Sequence, residues 1–242
     1  TSFAAPSAQA STEPKTMPPS YASAQDSDPM QLGWMQGFPP PADKQLRFAD
    51  GSFFNFPALR WSVAHMRQFM PTVVVARGHS APTLLPYRLD PQIDALRFRP
   101  NKAERDMTWQ DSLWANYTDG IVVLHRGHIV YERYFGALTP DGQHAAMSVT
   151  KSITGLLGAA LVAEGQLKAD APVQHYLPEL AHSALGDASV RQVLDMSTAL
   201  QFSENYSDPK AEIWQYSAAG NPLPKPAGYS GPVGYYATLA TL

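Results

Sequence analysis

The stretch MSVTKSITG, Met147 to Gly155, sets a serine three residues ahead of a lysine and follows both with an apolar, small-residue run. Ile153, Leu156, Leu157, Ala160 and Leu161 recur at the helical period. Gly165 stands where a helix-ending glycine stands, so the spacing predicts a helix that opens at Ser148. Residues three apart on a helix share a face, with Cβ atoms about 5–6 Å apart. A lysine amine can then reach the serine hydroxyl. Buried in an apolar site, the lysine loses the water that supports its charge, and the uncharged amine can take the serine proton. The helix N-terminus favours negative charge developing nearby, and the serine's own backbone N–H can serve an oxyanion hole. Serine and lysine at this spacing, at the mouth of a buried helix, point to acyl transfer with Ser148 as nucleophile and Lys151 as its base.

The pair alone is a weak signal. At average composition a chain of this size holds about one such match by chance. Ser207-Asp208-Pro209-Lys210 is a second match in the same sequence. It lies in a turn-rich stretch with no apolar helix behind it, and it serves as an internal control.

Working outward, "DGIVVLHRGHIVYERYFG" (119–136) gives two β-rich runs around Arg126-Gly127 and predicts a hairpin. A second helix is expected from Val190 to about Met196, with Ser189 and Gln192 spaced as a capping box. Residues 201–242 are polar, aromatic and turn-rich. Toward the N-terminus, residues 1–30 are rich in Ala, Ser, Pro, Thr and Gln and read as a disordered or extended leader. Residues 31–100 place aromatics among prolines. They are expected to be irregular structure packed on a core, with a short helix near Ser62–Phe69 and a strand near Thr72–Ala76. The expected organisation is therefore a leader over 1–30 and one domain over 31–242.

The 242 residues carry a net charge of −3, which gives no basic footprint for nucleic acid and no polybasic membrane patch. No apolar run is long enough to span a bilayer. The absence of cysteine excludes disulfides, thiolate metal sites and a cysteine nucleophile. Ala8-Gln9-Ala10 resembles the small-residue end of an export signal, so a periplasmic or secreted location is expected, and otherwise a cytoplasmic one. His125 and His128 flank the hairpin turn without a carboxylate cluster or His-Glu-x-x-His, so no metal is expected there. There is no Walker A loop and no dinucleotide fingerprint, so no cofactor is expected. "GYSGP" at Gly228–Pro232 misses the last glycine of a nucleophile elbow.

The order of hairpin, loop, S-x-x-K helix, "VAEGQLKADAPVQHYLPEL" (162–180) and short capped helix resembles the serine β-lactamase and penicillin-binding-protein family, class C type. "FNFPALRWSVAHMRQFMPTVVVARG" (54–78) and "LDMSTALQFSENYSDPKAEIW" (194–214) are similar to its branch of 6-aminohexanoate-dimer (nylon oligomer) hydrolases and carboxylesterases. The resemblance implies an α/β (α+β) fold, an antiparallel sheet flanked by helices with a mostly helical subdomain. It implies an acyl-enzyme on Ser148, activated by Lys151, with Tyr206 contacting the substrate amide. The implied substrates are small esters, linear amides such as 6-aminohexanoate oligomers, or β-lactams. The other implied reading is a penicillin-binding, D,D-peptidase-like protein that acylates without efficient turnover.

The sequence also departs from that pattern. Where the branch has an acidic residue that holds the substrate amine, this chain has Ser217. No Lys-Thr-Gly occurs. Ser203-Glu204-Asn205 falls inside the Tyr206 loop, and Tyr216-Ser217-Ala218 fails at its last position, so neither matches the proton-relay tyrosine or its partner. The chain thus reads as the N-terminal part of the family domain. A C-terminal polypeptide completing the fold is an expected partner, and a homodimer is a further one; the alternative to an active serine hydrolase is an inactive fragment that needs that second polypeptide.

Overall fold

Aromatic side chains set among prolines build the core of the first part of the chain. The computed structural model of the protein describes residues 21–221, 225 and 227–242. The chain divides into two units, one ending at Ala145 and one beginning at Ala146.

In the first unit, Leu46, Phe53, Ala58 and Trp61 form a buried cluster, with Trp34, Met35, Phe48, Met66, Phe69 and Met70 packed against it. Two short helices serve it, α1 (Pro29–Leu32) and α2 (Leu59–Ser62). Phe53 meets Phe48 and Phe69 at ring-centroid distances of 5.0 and 5.3 Å. Residues 21–28 pack on this unit: Ser27 is fully buried, and buried Arg60 donates to Ala24 O at 2.5 Å and to Ser27 Oγ at 3.0 Å. Residues 1–20 of the expected leader lie outside the described residues.

Two antiparallel pairs follow. Strands β1 (Arg97–Phe98) and β2 (Met107–Thr108) pair Arg97 with Thr108. Helix α3 (Trp109–Ala115) starts from β2 in a capping box made by Thr108 and Asp111. Strands β3 (Gly120–His125) and β4 (His128–Tyr134) form the predicted hairpin, in register from Gly120↔Tyr134 to His125↔His128 with an irregularity at Val123/Leu124. Arg126 and Gly127 both take positive φ, 51° and 78°, the pair of left-handed residues that matches the twist of a tight hairpin. Strand β4 supplies buried Ile129, Val130 and Tyr131. An extended segment runs beside it, with Ile129 N–H donating to Pro86 O and Arg88 N–H to Ile129 O at 3.0 and 2.9 Å. The Tyr131 hydroxyl donates to Asp94, which also receives Arg133 at 2.8 Å.

Two local expectations in this unit are corrected. The helix expected over Ser62–Phe69 is α2, displaced to Leu59–Ser62, and a separate 3-10 turn over Met66–Gln68. His65 breaks the run: its ring stacks on Trp61 at 3.7 Å, and its Nδ1 bonds Trp61 O at 2.7 Å, the carbonyl that a continuing helix would offer to the His65 N–H. The strand expected near Thr72–Ala76 does not form, and Val73 and Val75 are 89% and 92% exposed. A valine run favours extended backbone, but a strand needs a partner edge, and none pairs with it among the described residues.

The second unit is built from helices: α4 (Val149–Ala163), α5 (Val190–Leu194), α6 (Glu212–Gly220) and α7 (Tyr235–Leu239). Helix α4 ends as predicted. Gly165 has φ +74°, its N–H donates to Val162 O at 3.1 Å, and Gln166 N–H donates to Leu161 O at 2.9 Å, the paired closure of a left-handed helix end. The Ser189–Gln192 capping box opens α5. Leu194 of α5 packs over Gly158 of α4, where an added Cβ would come within 2.7 Å of Leu194 Cδ2. Helices α6 and α7 meet where Tyr235 lies against Gly220 and stacks on Tyr216 at 4.5 Å.

Candidate active site

Ser148 occupies the N-cap of α4 but does not act as a cap. A capping serine has extended backbone and accepts an N–H two or three residues on. Ser148 has φ −70° and ψ −10°, already helical, and makes no side-chain cap bond. Its Oγ instead accepts a hydrogen bond from Lys151 Nζ at 3.0 Å. The sequence spacing thus becomes a direct contact between hydroxyl and amine. The backbone delivers it through a tight entry: Ala146 O accepts from Val149 N–H at 3.0 Å, Met147 O from Thr150 N–H at 3.1 Å, and Ser148 O from Lys151 N–H at 3.0 Å. Met147 takes φ +45° to make this entry. A bulky residue in the left-handed region costs about 1–3 kcal/mol. No sequence signal marked Met147, because glycine is the residue that advertises such a turn.

The buried setting expected of this pair is not present. Ser148 and Lys151 are both exposed, and no residue of α4 is buried. The apolar face that the period predicted is there but open: Ile153, Leu156 and Leu157 are 60%, 66% and 63% exposed. The amphipathic pattern fixes which side chains share a face; it does not supply the element that covers them.

The remaining expected site residues fall as follows. Tyr206 lies in the turn-rich stretch before α6, exposed, edge-on to Trp214 at 5.8 Å. Among the described residues no hydrogen bond joins it to Ser148 or Lys151. Ser217 sits exposed on α6. The control pair behaves as a control: Ser207 N–H bonds Asn205 Oδ1 and Lys210 N–H bonds Asp208 Oδ1, in turns, with no bond between the two side chains. Ser203 and Asn205 belong to the same turns, Asn205 N–H donating to Ser203 Oγ at 3.2 Å. Tyr216 is half-buried, and burial raises its hydroxyl above the ordinary tyrosine value, with Tyr235 adding to the shift. His125 and His128 face each other across the hairpin turn, and no metal-holding group of His and carboxylates occurs among the described residues. No helix among the described residues is long and apolar enough to cross a membrane.

A family model described as Beta-lactamase matches residues 112–235. The chain belongs to the beta-lactamase family. The matched span takes in the β3–β4 hairpin, Ser148, Lys151 and Tyr206. A 6-aminohexanoate-dimer hydrolase of Paenarthrobacter ureafaciens is 35% identical over 163 residues, which are 67% of this chain and 39% of that protein. A solved structure from Bacillus anthracis, provisionally described as a 6-aminohexanoate-dimer hydrolase, superposes with a TM-score of 0.65 at 28% identity, covering 76% of this chain and 48% of that one. The fold is accordingly of the β-lactamase and transpeptidase type, mixed α/β, with antiparallel strand pairs followed by helices. The chain spans less than half the length of either relative.

Proposed function

We propose that this beta-lactamase-family chain carries the nucleophile of a serine hydrolase acting on ester or linear amide bonds. Ser148 Oγ attacks the carbonyl carbon, Lys151 in its uncharged form takes the hydroxyl proton, and the leaving alcohol or amine departs with a proton returned to it. Water then attacks the acyl-enzyme and releases the acid, regenerating Ser148. The observation that carries this reading is the 3.0 Å contact from Lys151 Nζ to Ser148 Oγ at the opening of α4. Forfeiting the cap bond supports it, since the hydroxyl is left aimed at an amine rather than at the helix backbone. The names of the two relatives favour 6-aminohexanoate oligomers as the amide substrate. Tyr206, exposed in the turn-rich stretch before α6, is the residue we assign to contact the amide. Ser217 on α6 favours short esters over an amine-terminated dimer, because a serine hydroxyl carries no charge to hold an ammonium group.

A second reading has its own support. The exposure of Ser148, Lys151 and the apolar face of α4 favours a chain that acylates slowly until another polypeptide packs on that helix. Water over the pair screens the charge that develops during acyl transfer and weakens any oxyanion contact.

A fluorophosphonate probe followed by peptide mass spectrometry tests the first reading. Labelling at Ser148 that is lost in Ser148→Ala supports it; a folded chain that never labels there sinks it. Labelling of Ser148 that is slow in this chain alone and speeds up once a polypeptide that packs on α4 is supplied favours the second.

A further inference from the structure

Helix α6 borders a cleft of about 780 Å³ that the chemistry above leaves unused; Ser148 and Lys151 are not among its lining residues. Its walls are aromatic, formed by Phe202, Trp214, Tyr216 and Tyr229. Among the described residues lining it, Glu212 is the one charged side chain. Glu212 is held in place, since its Oε2 accepts the Ser203 N–H at 2.9 Å, and it stands in the first turn of α6, where the helix field supports a carboxylate. A volume of this size suits a small organic ligand. Several aromatic faces around one fixed carboxylate suit a cation with an apolar body, because ring quadrupoles and the carboxylate attract the same charge. One ring already does this within the chain: Lys225 Nζ lies 5.7 Å from the Tyr229 centroid. The charge of Lys225 is directed at the far end of α6, where its Nζ donates to Ala218 O, Ala219 O and Asn221 O at 2.5, 3.0 and 2.8 Å. Glu212 at the near end has no cationic partner among the described residues.

We propose that this cleft binds a small organic cation, an alkyl- or aryl-ammonium, with its charge at Glu212 and its apolar body against Phe202, Trp214 and Tyr216. The site stands independently of the acyl-transfer reading, and its ligand need not be cleaved.

Calorimetric titration of the full chain with benzyltrimethylammonium tests it, with benzyl alcohol and benzoate as neutral and anionic controls. The cation is expected to bind at one site, at least about tenfold more tightly than benzyl alcohol, with benzoate weaker still. Glu212→Gln keeps an acceptor for the Ser203 N–H and removes the charge. It is expected to weaken the cation about tenfold and leave benzyl alcohol unchanged. Should that variant fail to fold by circular dichroism, Trp214→Leu serves instead, and it is expected to weaken the cation more than the alcohol. Failure of the cation to bind overturns the proposal. So does equal affinity for cation and alcohol, or an equal loss of both in the folded variant, since each describes an apolar slot without charge recognition.

Discussion

The aromatic cluster of the first unit and helix α4 of the second are both apolar segments, yet one hides its side chains and the other shows them. Trp61 is 7% exposed, and Leu157 is 63% exposed. The cluster succeeds because it is irregular: Leu46, Phe53, Ala58 and Trp61 come from several short turns that wrap around each other. Helix α4 is regular, and its apolar side chains all point one way. A helix cannot bury its own stripe; another element has to meet it. The candidate nucleophile sits on the element that is less covered. Local geometry brings Ser148 and Lys151 together at 3.0 Å, while the low-dielectric surroundings that acyl transfer exploits must come from outside α4.

The largest effect separating the two regions is chemical. Lys151→Ala removes the amine proposed as base but no packed side chain, so it should slow labelling of Ser148 by about 10²–10⁴-fold with little change in the unfolding midpoint. Stopped-flow or timed labelling with the fluorophosphonate probe, beside a denaturant melt, reads both. A rate within threefold of the unmutated chain would mean that the contact at α4 is an ordinary surface hydrogen bond.

Next in size is the packing contrast itself. Trp61→Ala should cost about 3–5 kcal/mol in chemical denaturation, as for a large buried aromatic. Leu157→Ala, on the open face of α4, should cost less than about 0.5 kcal/mol. Equal losses would show that α4 is covered in solution, by another copy or another polypeptide. Repeating the Leu157→Ala melt across protein concentrations separates those two covers.

A third test is in pH response, where the second unit carries a like pair, Tyr236 raised and Glu179 lowered by the hydrogen bond between them. In the first unit, burial, and then the hydrogen bond to Asp94, pushes the Tyr131 hydroxyl up to about 12. Its raised value means that its contribution is fully present below about pH 10, the ordinary tyrosine value, and is lost as pH rises toward 12. The Asp94 carboxyl is held below its ordinary value by the Tyr131 hydroxyl, with Arg133 assisting. Its contribution is present above about pH 4 and is lost as pH falls through its lowered value. Thermal melts should therefore fall away at both ends, and Tyr131→Phe should flatten both slopes. Tyr134, also raised to about 12 by its bond to Glu132, leaves a residual alkaline slope. An unchanged alkaline slope in Tyr131→Phe would remove the Tyr131–Asp94 pair from the account.

What could be read in the sequence was whatever neighbouring residues decide among themselves. The turn at Arg126-Gly127, the glycine closure after α4, the capping box at Ser189 and the approach of Lys151 to Ser148 each involve residues within a few positions of one another. What could not be read depends on distant partners. Val73 to Val75 have strand chemistry and no partner edge. The helix expected through Phe69 stops because the His65 ring takes the face and carbonyl of Trp61, a choice the helical period does not register. Met147 accepts a left-handed backbone that its side chain disfavours. The burial of Ser148 and Lys151 was inferred from the apolar face behind them, and that inference assumed a cover.

The smallest predicted effect tests whether local sequence signals carry energy in the less covered unit. Ser189 Oγ accepts the Gln192 N–H at 3.1 Å, and Gln192 Oε1 accepts the Ser189 N–H at 2.9 Å. Ser189→Ala should cost about 1 kcal/mol and Ser189→Gly only a few tenths, because glycine lets water reach the freed N–H groups. Helix α5 has five residues, too few to persist without its cap, and its Leu194 lies over Gly158 of α4. Loss of the cap should therefore also increase amide hydrogen exchange in α4 near Gly158, although no α4 residue is changed. If exchange rises in α5 alone, the contact between Leu194 and Gly158 holds nothing in place, and α4 stands as an independent helix. If it rises in both, the last turns of α4 depend on α5, and the open face around Ile153 and Leu157 is the part that still requires another element.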